Sequence, residues 1–245
     1  EVKDSDPSNS GNPDGTRLIQ VGARIGADTV TTNFRYNNAN RLTRYTYSGS
    51  VSGQNADAEV KIIRNAANII TSLVVKADFY AMIGLDSVVT NFEYDAARGQ
   101  YKNSLATYTF MGIPTSDKAE FTYDATGNLK SVVNYHDDGS GFVPDSKVEY
   151  TFSGNNLASS KVYRHDGSVF ELEQTTTYDQ HDDKINPLLF KEDAPALGME
   201  SHFSANNIVR QTVTDHASGH SQTATYTFTY NAANRPIRSN STSGN

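Results

Sequence analysis

The chain of 245 residues contains no cysteine and no tryptophan, and only three methionines. Without cysteine there are no disulfides, no thiolate nucleophiles and no zinc–thiolate centres. A basic surplus is missing too: 21 Lys and Arg stand against 28 Asp and Glu, a formal net charge of -7. Such a balance repels phosphate backbones, and nucleic-acid binders carry a basic stripe, so no nucleic-acid partner is expected. No apolar run reaches the length of about 18 residues that marks a transmembrane helix. The sequence also lacks a G-x-S-x-G nucleophile elbow and the two glycine-rich phosphate loops, G-x-G-x-x-G and G-x-x-x-x-G-K-[ST].

Glu1 to Gly15 (EVKDSDPSNSGNPDG) has one aliphatic residue, Val2, amid Asp, Ser, Asn, Pro and Gly. So little apolar surface does not offset the entropy of ordering, which predicts a flexible polar tether over 1–15 and a single β domain over 16–245. The tether has a faint calcium-loop spacing. The sixth position is Asn9 where glycine is required, and no glutamate closes the loop, so a solvated segment is the reading. A polar leader ahead of a β domain resembles the spacer behind the lipid-bearing cysteine of bacterial lipoproteins. That resemblance implies a secreted protein, periplasmic or anchored at the outer membrane of a Gram-negative bacterium. Its membrane contact would come only through an N-terminal lipid anchor absent from this chain.

What the chain has in abundance is a repeat. FRYNNANRL (Phe34 to Leu42), FTYDATGNL (Phe121 to Leu129) and FTYNAANRPI (Phe228 to Ile237) each join an aromatic strand end, a turn and an aliphatic residue. Weaker copies place the residue before the turn at Arg64, Tyr94, Phe152, Tyr178 and Phe203, besides Tyr36, Tyr123 and Tyr230 in the clear ones. Eight anchors at a steady spacing predict eight hairpins. The fourth residue after the anchor is Asn40, Asn68, Gly127 or Asn234 in the best copies, and Asn and Gly are the residues that enter the left-handed region readily. Asp95, Asp124 and Asp179 open their turns, where a carboxylate accepts backbone N–H groups.

Period-two alternation flanks the turns. Ala224, Tyr226, Phe228 and Tyr230 share one face against Thr223, Thr225, Thr227 and Thr229, and Val148, Tyr150 and Phe152 alternate likewise with Lys147, Glu149 and Thr151. Asp182 to Met199, with two prolines, reads as an excursion loop or a short helical turn. The predicted fold class is all-β, an antiparallel meander of about eight repeated hairpins forming a rolled or closed barrel-like sheet. A membrane barrel is disfavoured because the apolar face is only about three residues long in most strands, short of a spanning band. Lys161 also interrupts the face assigned to Leu157 and Tyr163.

YDATGNLKSVV, from Tyr123, resembles the tyrosine–aspartate repeat of Rhs-type shell proteins, whose motif runs Y-D-x-x-G-R-L. The whole-chain pattern, over roughly residues 30–238, resembles a family of secreted, lipid-anchored Gram-negative proteins of porin-like fold and unknown function. The resemblance implies a curved antiparallel sheet and brings no catalytic residues with it. Most copies depart from the strict motif, Asn standing for Gly, and Pro236 follows Arg235.

His136-Asp137-Asp138-Gly139, His165-Asp166-Gly167, His181-Asp182-Asp183 and Asp215-His216 offer imidazole and carboxylate groups. Their spacing is that of hairpin turns at the opposite strand ends, not of a metal motif, so no metal site and no cofactor is expected. No pair of acids stands out as catalytic. The anchor rings Tyr36, Tyr94, Tyr123, Phe152, Tyr178, Phe203 and Tyr230 form a ladder about 10 Å in spacing, read first as core and second as the lining of a groove for a lipid, glycan or peptide. The absence of tryptophan weakens a sugar platform. The expected role is a non-enzymatic envelope or surface lipoprotein ectodomain, a scaffold for binding or display. The alternatives are a carrier of a hydrophobic ligand inside a barrel and an envelope hydrolase acting on glycan or peptide.

Overall fold

The structure is a computed structural model and describes residues 2–5, 17–25, 28–190 and 192–244. Strands dominate it: β1 (Val2–Ser5), β2 (Arg17–Ile25), β3 (Asp28–Tyr36), β4 (Leu42–Val51), β5 (Gln54–Asn55), β6 (Ala58–Arg64), β7 (Ile70–Ala77) and, after the one-turn helix α1 (Asp78–Met82), β8 (Val88–Asp95). There follow β9 (Gln100–Phe110), β10 (Ile113–Tyr123), β11 (Leu129–Asp137), β12 (Phe142–Ser153), β13 (Asn156–His165) and β14 (Phe170–Ile185). A helical turn α2 (Ala194–Leu197) and a 3-10 turn (Glu200–His202) precede β15 (Asn206–Asp215), β16 (Ser221–Tyr230) and β17 (Pro236–Gly244). The class is all-β and antiparallel, with chain neighbours pairing as a meander. Of the segment expected to be a tether, residues 1 and 6–15 lie outside the described residues, and Val2–Ser5 pair antiparallel with β2.

The contacts divide into two compact units, Glu1–Tyr94 with Leu105–Ser116, and Asp95–Ser104 with Asp117–Asn245. In the first, β2, β3, β4, β6, β7 and β8 pair in succession over a core of Leu18, Leu42, Tyr45, Val60, Ile62, Ile70 and Leu73. In the second, β10 to β17 pair in succession, and Leu129, Leu157, Tyr178, Ala194 and Phe203 form the core.

The turn chemistry follows the sequence closely. Asn37, Asn65, Asp124 and Asn231 open their turns, and each side-chain oxygen accepts the backbone N–H groups two and four residues on. Asn40, Asn68, Gly127 and Asn234 have φ of 62, 60, 85 and 57°, the left-handed conformation their positions require. Asp95 caps its turn through Ala97 and Arg98.

Five of the hairpins carry a device that alternation does not reveal. Tyr36 faces Leu42 while Arg35 faces Arg44, so Thr43 is an extra residue, a β-bulge. The same shift recurs at Arg64 opposite Ile70, Tyr123 opposite Leu129, Phe152 opposite Leu157 and Tyr230 opposite Pro236. The bulge turns the first residue after the turn inward, and Leu42, Ile70, Leu129 and Leu157 are at most 4% exposed. It also corrects a face assignment. With Ala158 bulged, Leu157 shares its face with Phe152 and Ser160, whereas Lys161 and Tyr163 lie on the other face, so Lys161 does not interrupt the apolar one.

The expected eight hairpins are not all present. Tight turns occur after β3, β6, β8, β10, β12 and β16, but Tyr178 sits in mid-strand within the sixteen-residue β14. The fourth residue after Tyr178 is Asp182, which lacks the left-handed preference of Asn or Gly, and Asp179 accepts a hydrogen bond from the Thr212 hydroxyl instead of capping a turn. Phe203 likewise anchors no hairpin. The two weak copies merge into one long connection, residues 186–205, between β14 and β15.

Candidate functional site

That connection shapes a cavity of the second unit. After Ile185 the chain leaves the sheet, turns through α2 and the 3-10 turn, and comes back beside the hairpin turns. Polar side chains hold it there. Asn186 donates to the Ser201 and Ser204 carbonyls and accepts from the Leu188 N–H. The buried Ser204 hydroxyl accepts the Leu157 N–H, and Ala205 N–H donates to the Asn155 carbonyl. Asn156 and Asn206 exchange a reciprocal pair of hydrogen bonds, and Tyr178 donates its hydroxyl to the Glu200 carboxylate.

Apolar contacts complete the attachment. Phe203 packs on Tyr150 and Phe152 at centroid distances of 5.3 and 6.3 Å, and His202 meets the Phe190 ring edge-on at 4.9 Å. The Tyr150 and Tyr178 hydroxyls are pushed well above the usual tyrosine range, first by burial and then by the Glu200 charge. Burial pushes the His202 imidazole down to about 4.

Between this connection and the turns lies a cavity of about 540 Å³, the size of a small-molecule site. Tyr101, Tyr123, Phe152 and Phe203 supply aromatic surface, Leu129, Leu189 and Pro195 aliphatic surface, and Gln100, Asn128, Asn155 and Glu192 polar groups. The arrangement suits non-covalent binding, an apolar body held by rings with its polar atoms met at the rim. Among the described residues that line it there is no nucleophile–base pair.

Three of the seven anchor rings, Tyr123, Phe152 and Phe203, line the cavity. Tyr178 lies in the core of the same unit, and Tyr230 donates to the Asp182 carboxylate, so the ladder is part core and part wall. Tyr36 and Tyr94 belong to the first unit, where the Tyr36 hydroxyl donates to the Leu18 carbonyl at 2.8 Å. The residues that sequence reasoning missed are Tyr101, Gln100, Leu189, Glu192 and Pro195. Tyr101 follows its turn as Leu129 follows the next, and the excursion was visible as the proline-bearing stretch, but nothing local shows that it folds back on the rings.

The histidine–acid clusters are distributed as turns, with one exception. Asp138, Asp166 and Asp215 accept the N–H groups of Ser140, Ser168 and Ser218 at the strand ends opposite the repeat turns. Hydrogen bonds from the Val169 and then the Ser168 N–H groups hold the Asp166 carboxyl at about 2. His181-Asp182-Asp183 instead lies within β14, where Asp182 accepts from the Asn207 backbone and side chain and ties β14 to β15. Among the described residues no three His, Asp or Glu side chains gather as a metal site.

No protein-family model matches the chain, and no curated protein matches it in sequence. Among solved structures it is similar to a porin-like protein from Bacteroides uniformis ATCC 8492, with a TM-score of 0.55 and 14% identity over 91% of this chain and 93% of that one. At that identity the likeness extends to the fold: this chain has a porin-like β architecture.

Proposed function

We propose that the chain is a non-enzymatic binding protein of the bacterial envelope whose ligand seat is the aromatic cavity of the second unit. The observation that carries this reading is the cavity itself: about 540 Å³, walled by four aromatic residues, with a few polar groups at its edge. A segment held by specific hydrogen bonds at Asn186, Glu200, Ser204 and Ala205 builds one wall, so the seat is preformed and little ordering entropy is spent on binding. The envelope location is supported by the acidic, cysteine-free composition and by the porin-like description of the similar solved structure. A small amphipathic molecule suits the lining better than a polymer threading the sheet.

The test is native mass spectrometry of the full chain, purified without detergent and incubated with an organic extract of Gram-negative envelopes. The expected result is an added small-molecule mass that solvent extraction removes. Ala205→Phe, which fills the cavity from its wall, should lose that mass while keeping the wild-type circular dichroism, and Asn155→Trp, placed at the exposed rim, should weaken it. An unliganded mass for the wild type, or an added mass that both variants retain, overturns the proposal.

A further inference from the structure

One turn of the first unit breaks the rule that the other turns follow. Among the described residues, those with positive φ that are not glycine are Asn40, Ser52, Asn68, Asn234 and Met111. Four of them are small and polar, the kind of residue that turn positions favour. Met111, at φ 50°, is followed by Gly112 at φ 82°, and the two join β9 to β10 as a turn with both residues left-handed. Asn-Gly is the favoured pair for such a turn, and methionine in its first position costs the fold stability. Packing recovers none of that cost, because Met111 is 75% exposed.

Its surroundings in the chain are apolar as well. Phe110 and Ile113 flank the turn, and residues 105–116 contain no charged side chain. The helical turn α1 lies at the same strand end, since it connects β7 to β8 and β8 neighbours β9 in the sheet. β9 has eleven residues and β8 eight, so the tip projects about three residues, roughly 10 Å, past the start of β8. From α1 come Phe79 and Met82, three residues apart and therefore on one side of the helical turn. Phe79, Met82, Phe110 and Ile113 are each at least 40% exposed. The corresponding tips of the second unit differ: Asp138, Asp166 and Asp215 cap them, and their exposed apolar residues are single ones, Phe142 and Val169.

The number of side chains decides what they meet. Five are too few for a stable contact with a second copy or another folded protein, which takes about 20–30 residues a side. They suffice for a bilayer, where no complementary shape is required and each apolar side chain leaving water strengthens binding by about tenfold. A projecting tip also suits a fluid, and the unbranched methionine side chain adapts to one. Neither segment, 78–87 or 105–116, holds a lysine or arginine, so the attraction they supply is apolar.

We propose that the β9–β10 tip and α1 form a wedge that docks on a lipid bilayer, Phe110, Met111 and Ile113 entering the interface beside Phe79 and Met82. This contact is independent of the ligand seat and adds to the expected lipid anchor.

Because the chain has no tryptophan, Phe110→Trp creates a single fluorescent reporter at the wedge, and Val169→Trp creates one at a tip of the second unit. The intact chain with either reporter is titrated with phosphatidylcholine vesicles. The wedge reporter should show a saturable blue shift and quenching by brominated acyl chains, and the Val169→Trp reporter should show neither. Met111→Asn, added to the wedge reporter, supplies the favoured turn residue. It should raise stability in urea while weakening vesicle binding by about fivefold to tenfold, and Met82→Gln should weaken binding similarly. A silent wedge reporter, undiminished binding by Met111→Asn, or equal shifts of both reporters would overturn the proposal. So would self-association in sedimentation that Met111→Asn abolishes while vesicles stay unbound, an outcome that assigns the wedge to a second copy.

Discussion

His202 gives the folded protein a calculable dependence on pH. Its side chain is 2% exposed, its ring meets Phe190 edge-on at 4.9 Å, and its Nδ1 atom has no hydrogen-bond partner. Burial lowers its pKa from 6.5 to about 4, so the folded protein keeps the ring neutral where the unfolded chain takes up a proton. The contribution is fully present above pH 6.5 and is lost as pH falls toward 4. At about 1.4 kcal/mol per unit, a shift of about 2.5 units amounts to roughly 3 kcal/mol, a large part of a normal domain's stability. His181 is also lowered by burial, with Asp182 opposing, so a shallower decline remains without His202. His202→Phe keeps a ring against Phe190 and removes the titration. Urea unfolding at pH 7, 6, 5 and 4.5 should show wild type losing stability relative to the variant, most of the roughly 3 kcal/mol appearing by pH 4.5. Parallel pH curves for the two proteins would refute the burial argument.

Other substitutions probe the repeat. Asn234, at φ 57°, should tolerate glycine with little change, whereas Asn234→Ala should cost about 1 kcal/mol in chemical unfolding. Gly49→Ala would set a Cβ 2.0 Å from the Thr29 carbonyl oxygen at φ 148°, so loss of the folded first unit is expected by circular dichroism and proteolysis. Leu157→Ala, at a fully buried bulge-directed site, should cost about 2–5 kcal/mol in urea unfolding. Asp182→Ala removes the acceptor for Asn207 and the Tyr230 hydroxyl, and faster hydrogen exchange at β15 and β16 is the expected result.

The legible part of the fold was what neighbouring residues dictate. Asn40, Asn68, Gly127 and Asn234 announced left-handed turns because few residue types adopt that conformation, and Asn37, Asn65, Asp124 and Asn231 cap those turns through bonds spanning four residues. The bulge after each turn was hidden because it breaks period two by a single residue, which is why Leu157 was assigned the wrong face. Spacing also misled at Tyr178 and Phe203, where intervals matched the repeat although Asp182 gives no turn conformation. The seat was half legible: Tyr123, Phe152 and Phe203 came from the repeat, whereas Leu189, Glu192 and Pro195 reach it through a long connection whose path is set by tertiary bonds such as Leu157 N–H to Ser204 and Asn156 to Asn206.

Methyl-resolved NMR of the intact chain tests the ligand seat most directly, with benzyltrimethylammonium and neopentylbenzene as probes. Saturable shifts of the Leu129, Leu189 and Ala205 methyls, with those of Leu42 and Ile70 in the first unit unmoved, are the expected result. Cavity methyls that stay still while others shift, or no saturable shift with either probe, would contradict it.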